Sequence, residues 1–188
     1  LNPFRTLAKY RNFRLFWIGQ TISLVGTWMQ TVAVGWTALE LTDDPFLVGL
    51  VAAAGTFPIL ILSLPGGLVA DRQEKLRVIR IAQALMLAEA IALWALAVTG
   101  HLTIHWLLTL TLFGGAMAAF EIPARQSLIV ELVGKEDLPQ AIGLNSTGFN
   151  LARVLGPSIA AIVIAVLAAR EGLDAWEGDD DDQREGAL

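Results

Sequence analysis

The chain predicts an all-α protein, a polytopic bundle of membrane helices. Three observations carry that prediction. Of its 188 residues 55% are hydrophobic and 16% charged, where a soluble domain carries about a quarter charged residues; the mean hydropathy is +0.59. The apolar residues gather into five runs, each near the length of about 20 residues that a helix needs to cross ~30 Å of hydrocarbon. Between two of these runs lies the charge-dense turn from Gly66 to Arg80, whose cations cannot rest in lipid. No strand-like alternation supports a barrel, and open backbone is too costly in a bilayer for anything but helices. A soluble bundle would need amphipathic surfaces, and the second and third runs are apolar nearly all round.

The elements follow in order. Residues 1–12 form a cationic cytoplasmic segment with Arg5, Lys9 and Arg11. The first span, 13–39, is too long for the apolar part of a signal peptide and is followed by no small-residue cleavage site. Thr42-Asp43-Asp44-Pro45 reads as a turn and helix start, opening a second span at 46–70. After the charged turn a third span occupies 76–99. Gly100-His101-Leu102-Thr103 reads as a tight hairpin into a fourth span, 103–122. The polar break Gly134-Lys135-Glu136-Asp137-Leu138-Pro139 leads into a fifth, 138–169, with acids at its opening. Residues 170–188 are an acidic tail expected to be solvated and disordered. Eight of the 18 acidic residues lie in its Glu171–Leu188 stretch, so the net charge of −5 describes the tail more than the bundle.

The cations alternate between the two ends. Arg5, Lys9, Arg11 and Arg14 precede the first span; Arg72, Lys75, Arg77 and Arg80 lie between the second and third; Arg125, Lys135 and Arg153 lie after the fourth or within the fifth. The turns after spans one and three hold none. This is the positive-inside pattern with a cytoplasmic N-terminus, expected in a prokaryotic cytoplasmic (inner) membrane. Five crossings then place the tail outside.

Composition also excludes chemistries. There is no Cys, hence no disulfide or thiolate metal site. No basic patch resembles a nucleic-acid footprint. No nucleophile elbow or phosphate loop is visible, so neither an enzyme nor a cofactor is expected. His101 and His105 stand at helical spacing without a third ligand, beside Trp106, and read as interfacial residues rather than a metal site.

Polar residues inside the spans are the candidate functional positions. In span five Gly148, Ala152, Gly156 and Ala160 recur every four residues, with Pro157 beside them. Small residues so spaced let another helix approach. Ser146, Asn150, Arg153 and Pro157 form a neighbouring polar face, either the wall of a transport cavity or, for Arg153, an anchor snorkelling to the interface. In span one Gln20, Ser23, Thr27 and Gln30 share a stripe, which faces either a cavity or interhelical hydrogen bonds. Glu89, near the middle of span three, is an intramembrane acid; it is either a functional group, with Arg153 as the cation deep enough to pair with it, or a neutral contact. Pro58 and Pro157 are candidate kinks, and Pro45, Pro65 and Pro123 also fall in or beside spans.

Several stretches carry a family resemblance. Gly67-x-x-x-Asp71-Arg72-x-x-Lys75-x-Arg77 resembles the loop signature between the second and third helices of the major facilitator superfamily. Gly26-Thr27-Trp28-Met29-Gln30, Glu121-Ile122-Pro123-Ala124-Arg125-Gln126-Ser127 and Asn145-Ser146 through Asn150-Leu151-Ala152-Arg153-Val154-Leu155-Gly156-Pro157 match in order. Together they are similar to the drug and siderophore exporter branch, the enterobactin-exporter-like members, over about residues 3–168. Three departures stand out: Glu74 where Gly is frequent, Ser158-Ile159 after the Gly-Pro element where glycines usually follow, and no Arg near Thr109–Gly115 where many proton-coupled members carry one.

The resemblance implies a secondary active transporter, an antiporter-type efflux protein that exports small amphipathic molecules by alternating access. It implies five helices of a six-helix half, truncated before the sixth, so that the chain needs a missing C-terminal half; the alternative is a non-transporting fragment that acts only with that half. The expected partners are the lipid bilayer and a small-molecule substrate, with no nucleic acid. Gln20, Gln30, Asn150 and Arg153 are the expected cavity wall. Asp71, Arg72, Lys75, Glu121 and Arg125 are the expected gating charge cluster, or else determinants of topology alone.

Overall fold

A computed structural model describes the backbone of residues 3–185 and the side chains of residues 6–169. Six helices follow one another: α1 (Pro3–Lys9), α2 (Arg11–Leu41), α3 (Pro45–Arg72), α4 (Lys75–Val98), α5 (Ile104–Leu132) and α6 (Leu138–Glu185). Asp44 caps α3, its carboxylate accepting from Phe46 N–H at 2.9 Å, with Pro45 at the first helical position where no donor is needed. Gly100 turns the chain between α4 and α5 at φ +69, a left-handed conformation that a residue without Cβ adopts freely. Pro58, Pro65, Pro123 and Pro157 all sit inside continuous helices.

Four helical stretches are long and apolar enough to cross a membrane: Pro45–Arg72, Lys75–Val98, Ile104–Leu132 and Leu138–Ala169. The sequence predicts five. The expected first span corresponds to α2, which at 31 residues is long enough, but Gln20, Ser23, Thr27 and Gln30 dilute its apolar character. The expected fourth span, 103–122, is only the first part of α5, which continues to Leu132. Pro123 does not stop it, because Ala124, Leu128 and Ile129 carry its buried face onward. The backbone of α6 is helical through Glu185. The side chains of the tail, expected to be disordered over 170–188, lie outside the described residues. The short helix α1 occupies the segment expected only to be cytoplasmic and cationic.

Close packing of α3 on α5, α4 on α5 and α2 on α6 organises the bundle. Between α3 and α5 the backbones nearly touch. A methyl group added at Gly115 would lie 2.6 Å from Gly55 O and 3.0 Å from Ala54 O, and one at Gly66 would strike the Ala119 carbonyl oxygen. Between α2 and α6 the small residues of the fifth-span stripe do the same. Ala152 is 0% exposed, and a methyl group at Gly156 would lie 2.5 Å from Trp28 Cβ and 2.9 Å from Val25 O. Lipid offers no hydrophobic drive between helices, so such close van der Waals packing supplies the association. The outer surface is apolar, with Leu60 78% and Leu64 77% exposed, which fits a bilayer rather than water.

The amino-terminal helix is tied down by polar contacts. Lys9 Nζ lies 2.6 Å from Asp137 Oδ2, the Tyr10 hydroxyl donates to the same carboxylate at 3.1 Å, and Thr6 Oγ1 donates to Gln140 Oε1 at 2.9 Å. Trp17 Nε1 donates to Leu144 O at 2.9 Å. The Asp137 carboxylate, and after it the Tyr10 hydroxyl, hold the Lys9 ammonium above its ordinary range. These contacts fix α1 and the start of α2 to the start of α6.

Candidate functional site

Apart from Thr6 on α1, the buried polar side chains among the described residues collect in two places. Glu121 and Arg125 are one turn apart on α5, 6% and 7% exposed. Arg125 Nε lies 3.2 Å from Glu121 Oε1 and donates to Oε2 at 3.3 Å. Gln20 of α2, 8% exposed, lies alongside this carboxylate and accepts from Gln83 Nε2 of α4 at 3.4 Å. Glu121 Oε1 accepts no hydrogen bond among the described residues. A polar seam thus crosses the bundle from α4 through α2 to α5.

The seam ends at a cleft of about 290 Å³ between α5 and α6. Arg125, Gln126, Asn145, Ser146 and Asn150 give it a polar lining, and Phe149 an aromatic one. Small-molecule sites have this character: a concave surface with a few convergent polar groups. Above it Arg153 sits 5.7 Å over the Trp28 ring, and Phe149 meets the same ring edge-on at 5.8 Å. A guanidinium over an indole face is held by the ring quadrupole, more firmly where water is scarce.

The second polar group is Glu89 with Gln30. Gln30 Nε2 lies 2.9 Å from Glu89 Oε2 and 3.1 Å from Oε1. Glu89 is 4% exposed. Arg153, the cation expected to pair with it, is on Trp28 instead, because α6 packs on α2 and not on α4.

The structure sorts the remaining expected residues. Asn150 lines the cleft, its amide donating to Ser146 O at 2.8 Å. Gln20 and Gln30 make interhelical hydrogen bonds away from the cleft, while Ser23 and Thr27 between them are exposed. The five residues expected as a gating charge cluster are not assembled. Asp71 and Arg72 are exposed and enter no ion pair among the described residues. Lys75 pairs with Glu131 at 2.6 Å, tying the α3–α4 turn to the end of α5. Glu121 and Arg125 pair with each other. Glu131 lies on the part of α5 beyond residue 122, where the sequence predicts the end of span four. Gln83 carried the same signal as Gln20, an amide inside an apolar run, and could have been found by it. No group of acids and histidines able to hold a metal occurs among the described residues.

Comparison with known proteins gives this geometry a lineage. The family described as transmembrane secretion effector, of the major facilitator type, matches residues 1–173. The chain belongs to this family. It is 26% identical over 158 residues to the staphyloferrin A transporter of Staphylococcus aureus, covering 83% of this chain and 40% of that protein. It is 28% identical over 159 residues to the enterobactin exporter EntS of Shigella boydii (85% and 38%) and 23% over 165 residues to macrolide efflux protein A of Streptococcus pyogenes (85% and 40%). The chain thus spans about 40% of the length of the relatives it matches. No solved structure matches it.

Proposed function

We propose that this chain is the first helical bundle of a secondary active exporter. In it, two bundles rock around a central site and carry small amphipathic molecules outward by alternating access. The observation that carries this reading is the family match over residues 1–173, together with relatives named for siderophore, macrolide and enterobactin export. The geometry supports it. Ser23 and Thr27 on α2 and Ser146, Asn150 and Arg153 on α6 are exposed polar residues on helices that pack together. Such a face needs protein or a watery cavity to cover it in a membrane. On this reading α2 is a fifth span and its polar face meets a second bundle. The α5–α6 cleft, with Arg125 and Asn150, forms part of the substrate wall. Asp71, Arg72 and Lys75 lie at the cytoplasmic rim, where release of the Lys75–Glu131 pair biases the two states. The cationic bends face the cytoplasm, and the membrane is the prokaryotic cytoplasmic one. The relatives are transporters and efflux proteins, and no enzymatic activity is assigned.

The coverage of about 40% favours a second reading, in which the chain is inert until joined by a C-terminal half. Vesicles separate the two. The chain is reconstituted alone and with a coexpressed C-terminal bundle of a relative, and efflux of a cationic amphipathic dye is followed. Efflux only in the joint sample supports the exporter reading with a required second half. Efflux by the chain alone removes the need for that half. No efflux in either sample, with both bundles inserted, overturns the export assignment.

A further inference from the structure

Glu89, Gln30 and Gly114 meet at one depth. Glu89 stands nine residues before the end of α4 at Val98, Gly114 ten residues after the start of α5 at Ile104, and Gln30 eleven before the end of α2 at Leu41. At 1.5 Å per residue these positions lie about 14, 15 and 16 Å from the same end of the bundle, the middle of a ~30 Å hydrocarbon layer. A methyl group at Gly114 would lie 3.4 Å from Glu89 Cδ, so the carboxyl rests flat against α5.

On α2, α3, α4 and α5 no other ionisable side chain shares this level; on α6 Arg153 lies near it, over Trp28 two residues from Gln30, and forms no ion pair with Glu89 among the described residues. On α2 none lies between Arg14 and Glu40, and on α3 none between Pro45 and Asp71. On α5 none lies between His105 and Glu121, and on α4 none lies between Arg80 and Glu89 or from there to the helix end. Glu121 and Arg125, the nearest charges toward the other end of α5, are seven and eleven residues beyond Gly114, about 10 Å or more along the axis. An acid at this depth, hydrogen-bonded to an amide and in no ion pair among the described residues, changes its charge by gaining or losing a proton.

The partner suits both forms. A carboxylate needs donors, and the Gln30 NH₂ group reaches both of its oxygens. A carboxylic acid needs an acceptor for its O–H and a donor for its C=O, and half a turn of the same amide presents a carbonyl and an N–H together. Arg or Lys could serve only the charged form.

We propose that Glu89 and Gln30 form a proton-binding site at mid-membrane depth. One proton from water adds to a Glu89 carboxylate oxygen, taking the site from minus one to neutral, and returns to water on release. The Gln30 amide turns to hydrogen-bond each form. Proton binding itself does not depend on the export reading; its use as the coupling step does, and it would supply the exchanged ion.

Infrared difference spectroscopy of the full chain in lipid nanodiscs tests this, from about pH 6 to about pH 9, a window in which solvent-exposed carboxyls are almost wholly ionised. A carboxylic C=O band that titrates in this window, shifts in D₂O and vanishes in Glu89→Gln is the expected result. Gln30→Leu is expected to move its midpoint by at least about one pH unit, and Gln30→Asn by less. Absence of any titrating band that Glu89→Gln removes overturns the site, whatever the vesicles show. An unmoved midpoint in a folded Gln30→Leu overturns the role of the amide. Intact titration without efflux would leave the site standing and sink only the export assignment.

Discussion

Glu89 and Glu121 are both buried, 4% and 6% exposed, yet one faces an amide from another helix and the other a guanidinium one turn along its own. Glu121 and Arg125 neutralise each other locally, on a helix that carries both, so their pairing needs little from the rest of the bundle. Glu89 has no cation, and its partner arrives only because α2 crosses α4 at the depth of Gln30. The first arrangement sets the carboxyl against a cation on its own helix. The second leaves an acid whose protonation can change. Burial alone therefore does not tell a structural carboxyl from a functional one; the chemistry of the partner does.

The comparison breaks first at Arg125. Arg125→Met strands a buried carboxylate, a loss of roughly 3–5 kcal/mol by analogy with broken buried pairs, read by thermal unfolding in detergent. Adding Glu121→Gln to it should recover most of that loss, and a double variant as unstable as the single one would show that the pair does not act as a unit.

A smaller effect is expected where two backbones meet. Gly115→Ala forces a methyl group toward Gly55 O and Ala54 O, an overpacking cost of about 1–3 kcal/mol. The same change at Gly67, where a methyl group meets nothing within 4 Å, should be near neutral in the same melting assay. Glu89→Gln keeps a hydrogen-bonding group opposite Gln30 and should cost less than about 1 kcal/mol. A loss as large as that of Arg125→Met would mean that Glu89 is held as a fixed charge and that the contrast is false.

The smallest effect concerns the exposed link between α1 and α6. Because Asp137 and Tyr10 raise the Lys9 ammonium above its ordinary range, its contribution is whole at neutral pH and is lost as pH climbs through that raised value. Lys9→Ala should leave the melting temperature at neutral pH almost unchanged, as exposed pairs do. It should also abolish any extra loss of stability in strong alkali.

Residues show why parts of this were legible and others not. The turns at Asp44-Pro45 and Gly100 announce themselves through capping and backbone chemistry that acts within a few residues. The stripe Gly148, Ala152, Gly156 could be read as a packing face because helical periodicity alone puts small side chains in line. The extension of α5 past Pro123 was missed because the proline argues locally for a stop, while buried contacts of Ala124 and Leu128 argue for continuation. The gating cluster was expected from residues at one end of the spans. The structure instead pairs Lys75 with Glu131 and leaves Asp71 exposed, since nearness along the membrane normal does not make neighbours in its plane.

By itself the sequence determined the helical class, the membrane surroundings, the turns and the alternation of cations, all consequences of hydropathy and of chemistry within a turn or two. Only the tertiary structure decided that Glu89 meets Gln30, that Arg153 rests on Trp28 and that Asn150 and Arg125 share a cleft. Those pairings depend on how far each helix is rotated and at what height it crosses its neighbours. Rotation and height are set by close contacts such as Gly115 on Gly55 and Gly156 on Trp28, which join residues remote in the chain.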